Sequence, residues 1–262
     1  YSAFINSRLS DYLETNNMLA DEQNGFCAHR SCEDHIFTLN AIVRNCPKTF
    51  ATFIDLKKAF DFVDRDMLLY KLLLNKIDGK IYNSIKSIYV NTTACIRLND
   101  TLTDWFSCNS GVRQGDNLSP TLFSIFINDL VQEVKDLDLG VSIGNSNVSI
   151  LLYADDIVLI SPTENDMQAM LNKVHDWCKR WRVLINTEKS KVVHFRQSRI
   201  KRSEYKFKIG GNSLQTVDKY KYLGVMFHEF KGQRKSRDDN GDLGPEYKFK
   251  IGGNSLQTVD KY

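Results

Sequence analysis

Residues 149–160, Ser-Ile-Leu-Leu-Tyr-Ala-Asp-Asp-Ile-Val-Leu-Ile, set two adjacent carboxylates between two apolar arms. Arms of that length and composition read as buried strands. A hairpin with Asp155 and Asp156 at its tip buries both arms and keeps the charges out of the core. Such a hairpin needs partner strands. Ala51–Asp55 (ATFID) is a second short apolar stretch that ends in a carboxylate. Carboxylates at the ends of buried strands are unfavourable unless a cation offsets them. Singly, each aspartate reads as a turn residue or a helix cap. If Asp55, Asp155 and Asp156 converge, the set points to hard divalent ions such as Mg²⁺, which take oxygen ligands and often also bind substrate phosphates.

The remaining chain supplies helices and further strands. Ile5, Leu9, Tyr12 and Leu13 predict a helix over Phe4–Leu13, and Ile36, Leu39 and Val43 a second near Cys32–Cys46, closed by Pro47. Residues 66–90 read as helical. Ala94–Leu98 and Trp105–Asn109 resemble paired strands around the polar turn Asn99-Asp100. Ser119-Pro120 is expected to cap a long helix through Val134, with Ser as N-cap and Pro at the first helical position. Thr163 to Asp166 resembles a capping box with Asp in place of Glu, ahead of the stripe Met167, Met170, Leu171, Val174, Cys178, Trp181. Both long stripes are expected in the core. Lys191–Phe195 and Tyr222–Phe227 read as strands. Helices mixed with separated strands argue α+β.

Composition narrows the classes. The 35 Lys and Arg against 32 Asp and Glu leave a charge of +3, which neither supports nor excludes nucleic-acid binding. No apolar run approaches the roughly 18 residues that span a bilayer, no signal peptide opens the chain, and no membrane partner is expected. Residue 1 is Tyr, so the chain is expected to be a piece of a longer protein. Cysteines 27, 32, 46, 95, 108 and 178 lack zinc spacing and are expected as free thiols in a reducing compartment. His35, His175 and His194 show no metal-ligand pattern. Residues 204–220 (EYKFKIGGNSLQTVDKY) recur letter for letter at 246–262, around a charged, turn-rich linker. Two copies do not make a solenoid. The second copy has no apolar strand after it and is expected to be poorly packed.

Several segments together resemble the reverse transcriptases of non-LTR (LINE-type) retrotransposons. Tyr153-Ala154-Asp155-Asp156 is similar to their Tyr/Phe-x-Asp-Asp box, and FIDLKKAFDFVD (53–64) to the first metal-binding box. GVRQGDNLSPTLFSIFINDL (111–130) resembles the nucleotide- and template-positioning box. Asn186–Ser190 resembles the downstream lysine box, and Tyr222-Leu223-Gly224-Val225 the primer grip. Gln23-Asn24-Gly25-Phe26, Arg30-Ser31-Cys32 and Asp34-His35 are similar to the fingers segment. The ordered boxes run from residue 23 to 225, about three quarters of the chain.

The resemblance implies a reverse-transcriptase-like palm, an antiparallel sheet packed on helices. It places partial fingers at 1–50, the palm at 51–200, the end of the palm with the primer-grip hairpin at 201–230, and the linker and duplicated segment at 231–262. It implies an RNA-directed DNA polymerase that adds deoxynucleotides to a primer 3′-hydroxyl, with an RNA template, a DNA primer and two Mg²⁺ ions, Mn²⁺ being the alternative. Asp55, Asp155, Asp156 and the carbonyl of Leu56 would hold the metals. Phe60 would exclude a 2′-hydroxyl, or else simply pack in the core. Gln114 and Gly115 would lie beside the incoming nucleotide, and Arg113 reads equally as a template contact or a solvated side chain. Lys189 would face the leaving pyrophosphate, or else be a surface lysine. Tyr222, Leu223 and Gly224 would form the primer grip. Retroelements of this type copy at chromosomal DNA, which implies a nuclear location; KGQRKSR (231–237) is a basic cluster that also reads as a solvated linker. Two departures stand out. Cys27 follows Gly25-Phe26 where the family usually has Arg, so a guanidinium that pairs with phosphate becomes a thiol that does not. The charged linker follows where a helical thumb belongs, so the thumb is expected to be missing. The rival readings are an inactive relic that at most binds nucleic acid, an RNA-dependent RNA polymerase, and a metal nuclease.

Overall fold

A computed structural model describes residues 1–144 and 146–230, together with the short paired strands Lys250–Ile251 and Asn254–Ser255. Its centre is a five-stranded sheet of β1 (Lys48–Ile54), β2 (Ile150–Tyr153), β3 (Asp156–Ser161), β4 (Lys191–Arg196) and β5 (Gln215–Val217), in the order β5-β4-β1-β3-β2. β1 runs antiparallel to β3 and β4, and β2 antiparallel to β3; only β5 joins in parallel, beside β4. The expected hairpin is therefore present, with β1 as its partner strand.

The strands are apolar almost throughout because both faces of the sheet are covered. Side chains alternate along each strand. Phe50 and Ile54 of β1, Leu152 of β2 and Ile157 and Leu159 of β3 enter one core, which they share with α1 (Ser2–Thr15), α3 (Arg65–Leu74), α4 (Gly79–Tyr89), α5 (Leu118–Lys135) and α6 (Glu164–Arg180). Ala51, Phe53, Leu151, Val158 and Ile160 enter the other, beneath α2 (Cys32–Asn45) and a hairpin of β6 (Lys219–Tyr222) and β7 (Val225–His228). The stripes on α5 and α6 are core, as expected. Residues 1–50 send α1 to one side of the sheet and α2 to the other. All six cysteines are free. Among the described residues no helix is long and apolar enough to cross a membrane.

Several local expectations need correction. The helical stretch 66–90 is two helices: the Asn75 side chain donates to the Lys71 carbonyl, and Lys76 takes a positive φ of 58° that ends the first. Ser119 is not an N-cap. Asn117 takes that place and α5 begins at Leu118, two residues before the expected start; Asp116 Oδ1 accepts the Leu118 N–H, and Pro120 sits in the first turn, where a missing N–H costs nothing. Tyr222–Phe227 is not one strand. Leu223 and Gly224 take φ of 45° and 87° and fold it into the β6–β7 turn. The strands expected around Asn99-Asp100 break into two short pairs, Thr93–Ala94 with Phe106–Ser107 and Arg97–Leu98 with Thr101–Leu102. The first copy of the repeat pairs Lys208 with Ser213 and Ile209 with Asn212; the second pairs Lys250 with Ser255 and Ile251 with Asn254. Apart from that pairing, the expectations about 231–262, and about the thumb, lie outside the described residues.

Candidate active site at one end of the sheet

The register brings the acidic residues together. β1 and β3 pair Phe53 with Val158 and Ile54 with Ile157, so the next step sets Asp55 beside Asp156. β2 and β3 pair Tyr153 with Asp156, closing the hairpin over Ala154 and Asp155. All three aspartates thus share one end of the sheet. The Asp156 carboxyl is pushed up to about 6, by burial first and then by the charges of Asp155 and Asp55. Asp155 is raised chiefly by burial, with Asp55 adding to the shift and a hydrogen bond from its own backbone opposing it. None of the three takes part in an ion pair among the described residues. They are neighbours, not a closed ligand shell: among the described residues no cluster of three or more His, Cys, Asp or Glu is gathered tightly enough to hold a metal. The donor set itself, carboxylates with a nearby carbonyl, suits a hard divalent cation.

The carbonyl is that of Leu56. Leu56 bridges Ile185 in antiparallel fashion, and the flanking bonds run from the Lys57 N–H to Leu184 O (2.7 Å) and from the Asn186 N–H to Asp55 O (2.8 Å). The ladder therefore steps past the oxygen of Leu56. Ser190 Oγ accepts the Asp55 N–H (3.1 Å) and donates to Asn186 O (2.7 Å), so the lysine-box loop fixes the Asp55 backbone. Lys189 is exposed on that loop, and no ion pair ties it to the aspartates.

The next loop is built around Phe60. Half-buried, its ring stacks on Phe123 of α5 (4.7 Å between centroids, 18°) and meets the edge of Phe26 (6.3 Å, 85°). Its carbonyl accepts the Val112 N–H (2.9 Å). Gly111, at φ 79°, lies so close that a Cβ would stand 2.6 Å from the Asp61 carbonyl oxygen. Exposed Gln114 donates to Asp61 Oδ1 (2.7 Å), with exposed Gly115 beside it. Arg113, left open by the sequence, donates to the Ile88 carbonyl (2.8 Å). Arg65 donates to the Gly111 carbonyl (2.9 Å) and clamps the loop from below.

The β6–β7 hairpin crosses the opposite face. Tyr220 stacks on Phe53 (4.3 Å, 14°), and buried Tyr222 hydrogen-bonds its Oη to His35 Nδ1 (3.3 Å). Both phenols are raised above their ordinary range, by burial first and then by Asp156. His35, given no role by the sequence, is pushed down to about 4 by burial and meets the Tyr153 ring edge-on at 6.3 Å. Gln23, in the segment similar to the fingers, lies along the outer edge of β2, where Leu152 donates to Glu22 O (2.9 Å) and accepts from the Asn24 N–H (3.0 Å). Its Oε1 accepts the N–H groups of Gly25 (3.0 Å) and Ala154 (3.2 Å). Burial of that glutamine is visible only in the structure, so the sequence held no signal for the contact.

A family model for reverse transcriptase (RNA-dependent DNA polymerase) matches residues 1–227. The chain belongs to the reverse transcriptase family. It is of the non-LTR retrotransposon type. It is 24% identical over 247 residues to the Retrovirus-related Pol polyprotein from type-1 retrotransposable element R2 of Nasonia vitripennis, covering 90% of this chain and 24% of that one. It is 29% identical over 180 residues to the RNA-directed DNA polymerase from mobile element jockey of Drosophila funebris, covering 66% and 19%. The chain spans about a fifth to a quarter of the length of these curated relatives. Telomerase from Candida tropicalis truncated from its C-terminal domain has a similar fold, with a TM-score of 0.57 at 16% identity over 87% of this chain and 43% of that one. Telomerase from Candida tropicalis in complex with a fragment of telomeric RNA gives 0.59, covering 87% and 35%. The sheet is thus a reverse-transcriptase palm, and dependence on divalent metal is general for the family.

Proposed function

We propose that this reverse transcriptase domain adds deoxynucleotides to a primer 3′-hydroxyl on an RNA template, acting in the nucleus. One observation carries the reading: three aspartates share one end of the palm sheet, Asp155 and Asp156 are raised by burial and by neighbouring acids, and among the described residues none of the three is ion-paired to a protein cation. Asp55, Asp155, Asp156 and the Leu56 carbonyl would hold two Mg²⁺, or Mn²⁺ in their place. Bound there, the ions would activate the attacking oxygen and neutralise the leaving phosphate. The chain's own residues do the positioning. Phe60, braced by Phe123, closes the space a 2′-hydroxyl needs. Gln114 and Gly115 border the incoming nucleotide from a loop tied to Asp61. Lys189, on the loop that holds the Asp55 backbone, supplies a cation or a proton to the pyrophosphate. The turn Tyr222-Leu223-Gly224, held by His35, bears on the primer. Alignment and charge neutralisation supply most of the rate.

The test is incorporation of dTTP on poly(rA)/oligo(dT) with Mg²⁺. Incorporation that is lost in Asp155→Ala supports the assignment; incorporation that survives the substitution refutes it. A second reading, binding without catalysis, is favoured by Cys27. Its thiol, raised by burial, points back into its own loop and donates to Gln23 O (3.3 Å), so position 27 itself carries no guanidinium where the family usually has Arg. Primer–template binding with no incorporation supports that reading.

A further inference from the structure

We propose that Gln23 is a positioning residue for the acidic turn: its buried amide oxygen holds Ala154 in place and so sets the aim of Asp155 and Asp156. The inference rests on the reading of those carboxylates as metal ligands.

Ala154 has a φ of 56°, a left-handed conformation that an alanine does not choose unaided. It immediately precedes both carboxylates, so its dihedrals set their direction. Its N–H ends on Gln23 Oε1, in a place sealed from solvent: Gln23 has 0% exposure and Ala154 5%. That oxygen also accepts the Gly25 N–H, and two donors on one acceptor fix the amide's orientation. Its Nε2 is buried with no protein partner. A side chain kept there despite an unmatched donor is kept for its oxygen.

The backbone carrying Gln23 is itself anchored. A Cβ on Gly25 would lie 2.2 Å from Ala154 N, so no gap separates this strap from the turn. Asn128 of α5 accepts the Ala20 N–H (2.8 Å) and donates to Met18 O (2.9 Å). Arg30 donates to Ala20 O (2.7 Å) and Gln23 O (2.9 Å), and Ser124 Oγ to Gly25 O (3.4 Å). The strap carries the rigidity of α5 to the end of the sheet. Partners of this kind, standing behind metal ligands, typically change metal affinity by about 10–100-fold when removed.

The experiment titrates Mn²⁺ into the full chain, without nucleic acid, by electron paramagnetic resonance. It compares wild type, Gln23→Met, which keeps the volume and loses the acceptor, and Gly25→Ala, which pushes the turn from the same side. The expected result is Mn²⁺ affinity roughly tenfold or more weaker in both, in metal-free proteins shown to be folded by circular dichroism. A folded variant that binds Mn²⁺ as tightly as wild type overturns the inference, even if its melting temperature falls, because a purely structural residue would move only the melting. Hydrogen exchange of the Ala154 amide, read by NMR in the wild-type chain, decides the matter even if the variants do not fold. Slow exchange matching the core of β3 is expected, and exchange at a turn's ordinary rate overturns the inference. If the wild-type chain binds no Mn²⁺, the metal-site reading fails, while Ala154 exchange still reports whether Gln23 holds the turn.

Discussion

Lys71→Met tests the reasoning about the core most sharply. Lys71, on α3, is 1% exposed. Its Nζ lies 2.6 Å from Asp129 Oδ1, also donates to the Phe126 carbonyl, and sits over the rings of Phe126, Trp177 and Trp181 at 4.7, 4.5 and 3.8 Å. Burial lowers its pKa from 10.5 to about 8, and the attraction of Asp129 only partly restores it. The sign follows from proton counts. Between about pH 8 and 10.5 the unfolded chain holds one proton that the folded chain has lost, so this group's contribution to stability rises with pH. At about 1.4 kcal/mol per unit, the gain from about pH 7.5 to 9.5 is about 2 kcal/mol once the rounding near the folded pKa is included. With a urea slope of about 2–3 kcal/mol/M, that is a midpoint rise of roughly 0.7–1 M. Cys178, raised to about 12 by burial, and the buried phenols pull the other way above about pH 9. They are common to both proteins, so the measured quantity is the difference between wild type and Lys71→Met. That variant keeps the volume, and Asp129, 41% exposed at its side chain, retains the Trp177 Nε1–H (2.9 Å) and water. The midpoint difference is expected to swing by roughly 0.7–1 M toward wild type across the range. Parallel midpoints at both pH values would refute the account.

Three further outcomes are expected. Asp156→Asn should stabilise the metal-free chain at neutral pH and raise its melting temperature, by less than about 1 kcal/mol because Asp156, though crowded by its neighbours, keeps enough exposure for solvent to screen the carboxylate. A carboxyl whose folded pKa is raised destabilises the fold above its unfolded value, so the advantage should fade as pH drops from about 6 toward 4, and melting in EDTA against pH reads it. Phe60→Ala should lose about 0.5–1.5 kcal/mol of ring stacking beyond buried area and admit ribonucleotides, measured as rUTP against dTTP incorporation. Tyr222→Phe leaves buried His35 Nδ1 without its phenol and should lower urea stability by about 1–3 kcal/mol.

The chemistry-bearing elements were legible because their signals are local. A hairpin tipped by two acids needs only apolar arms, and the α5 and α6 stripes need only helical spacing. Sequence reading failed where a tertiary partner or a backbone angle decides. Nothing in Ser119-Pro120 says that the helix will start at Leu118, with Asn117 as its N-cap. Tyr222–Phe227 passes for a strand until Gly224 is required at φ 87°. The contact of Gln23 with Ala154 could not be read because the two lie 131 residues apart. His35 lacked any ligand spacing because its partner is Tyr222, 187 residues on.

Where local and global preferences disagree is itself informative. In β1, β2 and β3 every level agrees: β-branched and apolar residues, strict alternation, both faces covered, and a register without slips. At the tip of the same hairpin two unfavourable choices fall on neighbouring residues. Ala154 takes a φ of 56°, where glycine or asparagine would be at ease, and the next two residues are carboxylates raised by burial and by neighbouring acids. A turn selected only to connect two strands would use neither. Conflicts of this kind persist when surrounding structure holds them in place and when something outside the chain relieves them. The first condition is met by the strap at Gln23 and by Ser190 behind Asp55. The second, in the proposed function, is met by divalent cations, which explains why the strain and the charge sit at the same end of the sheet.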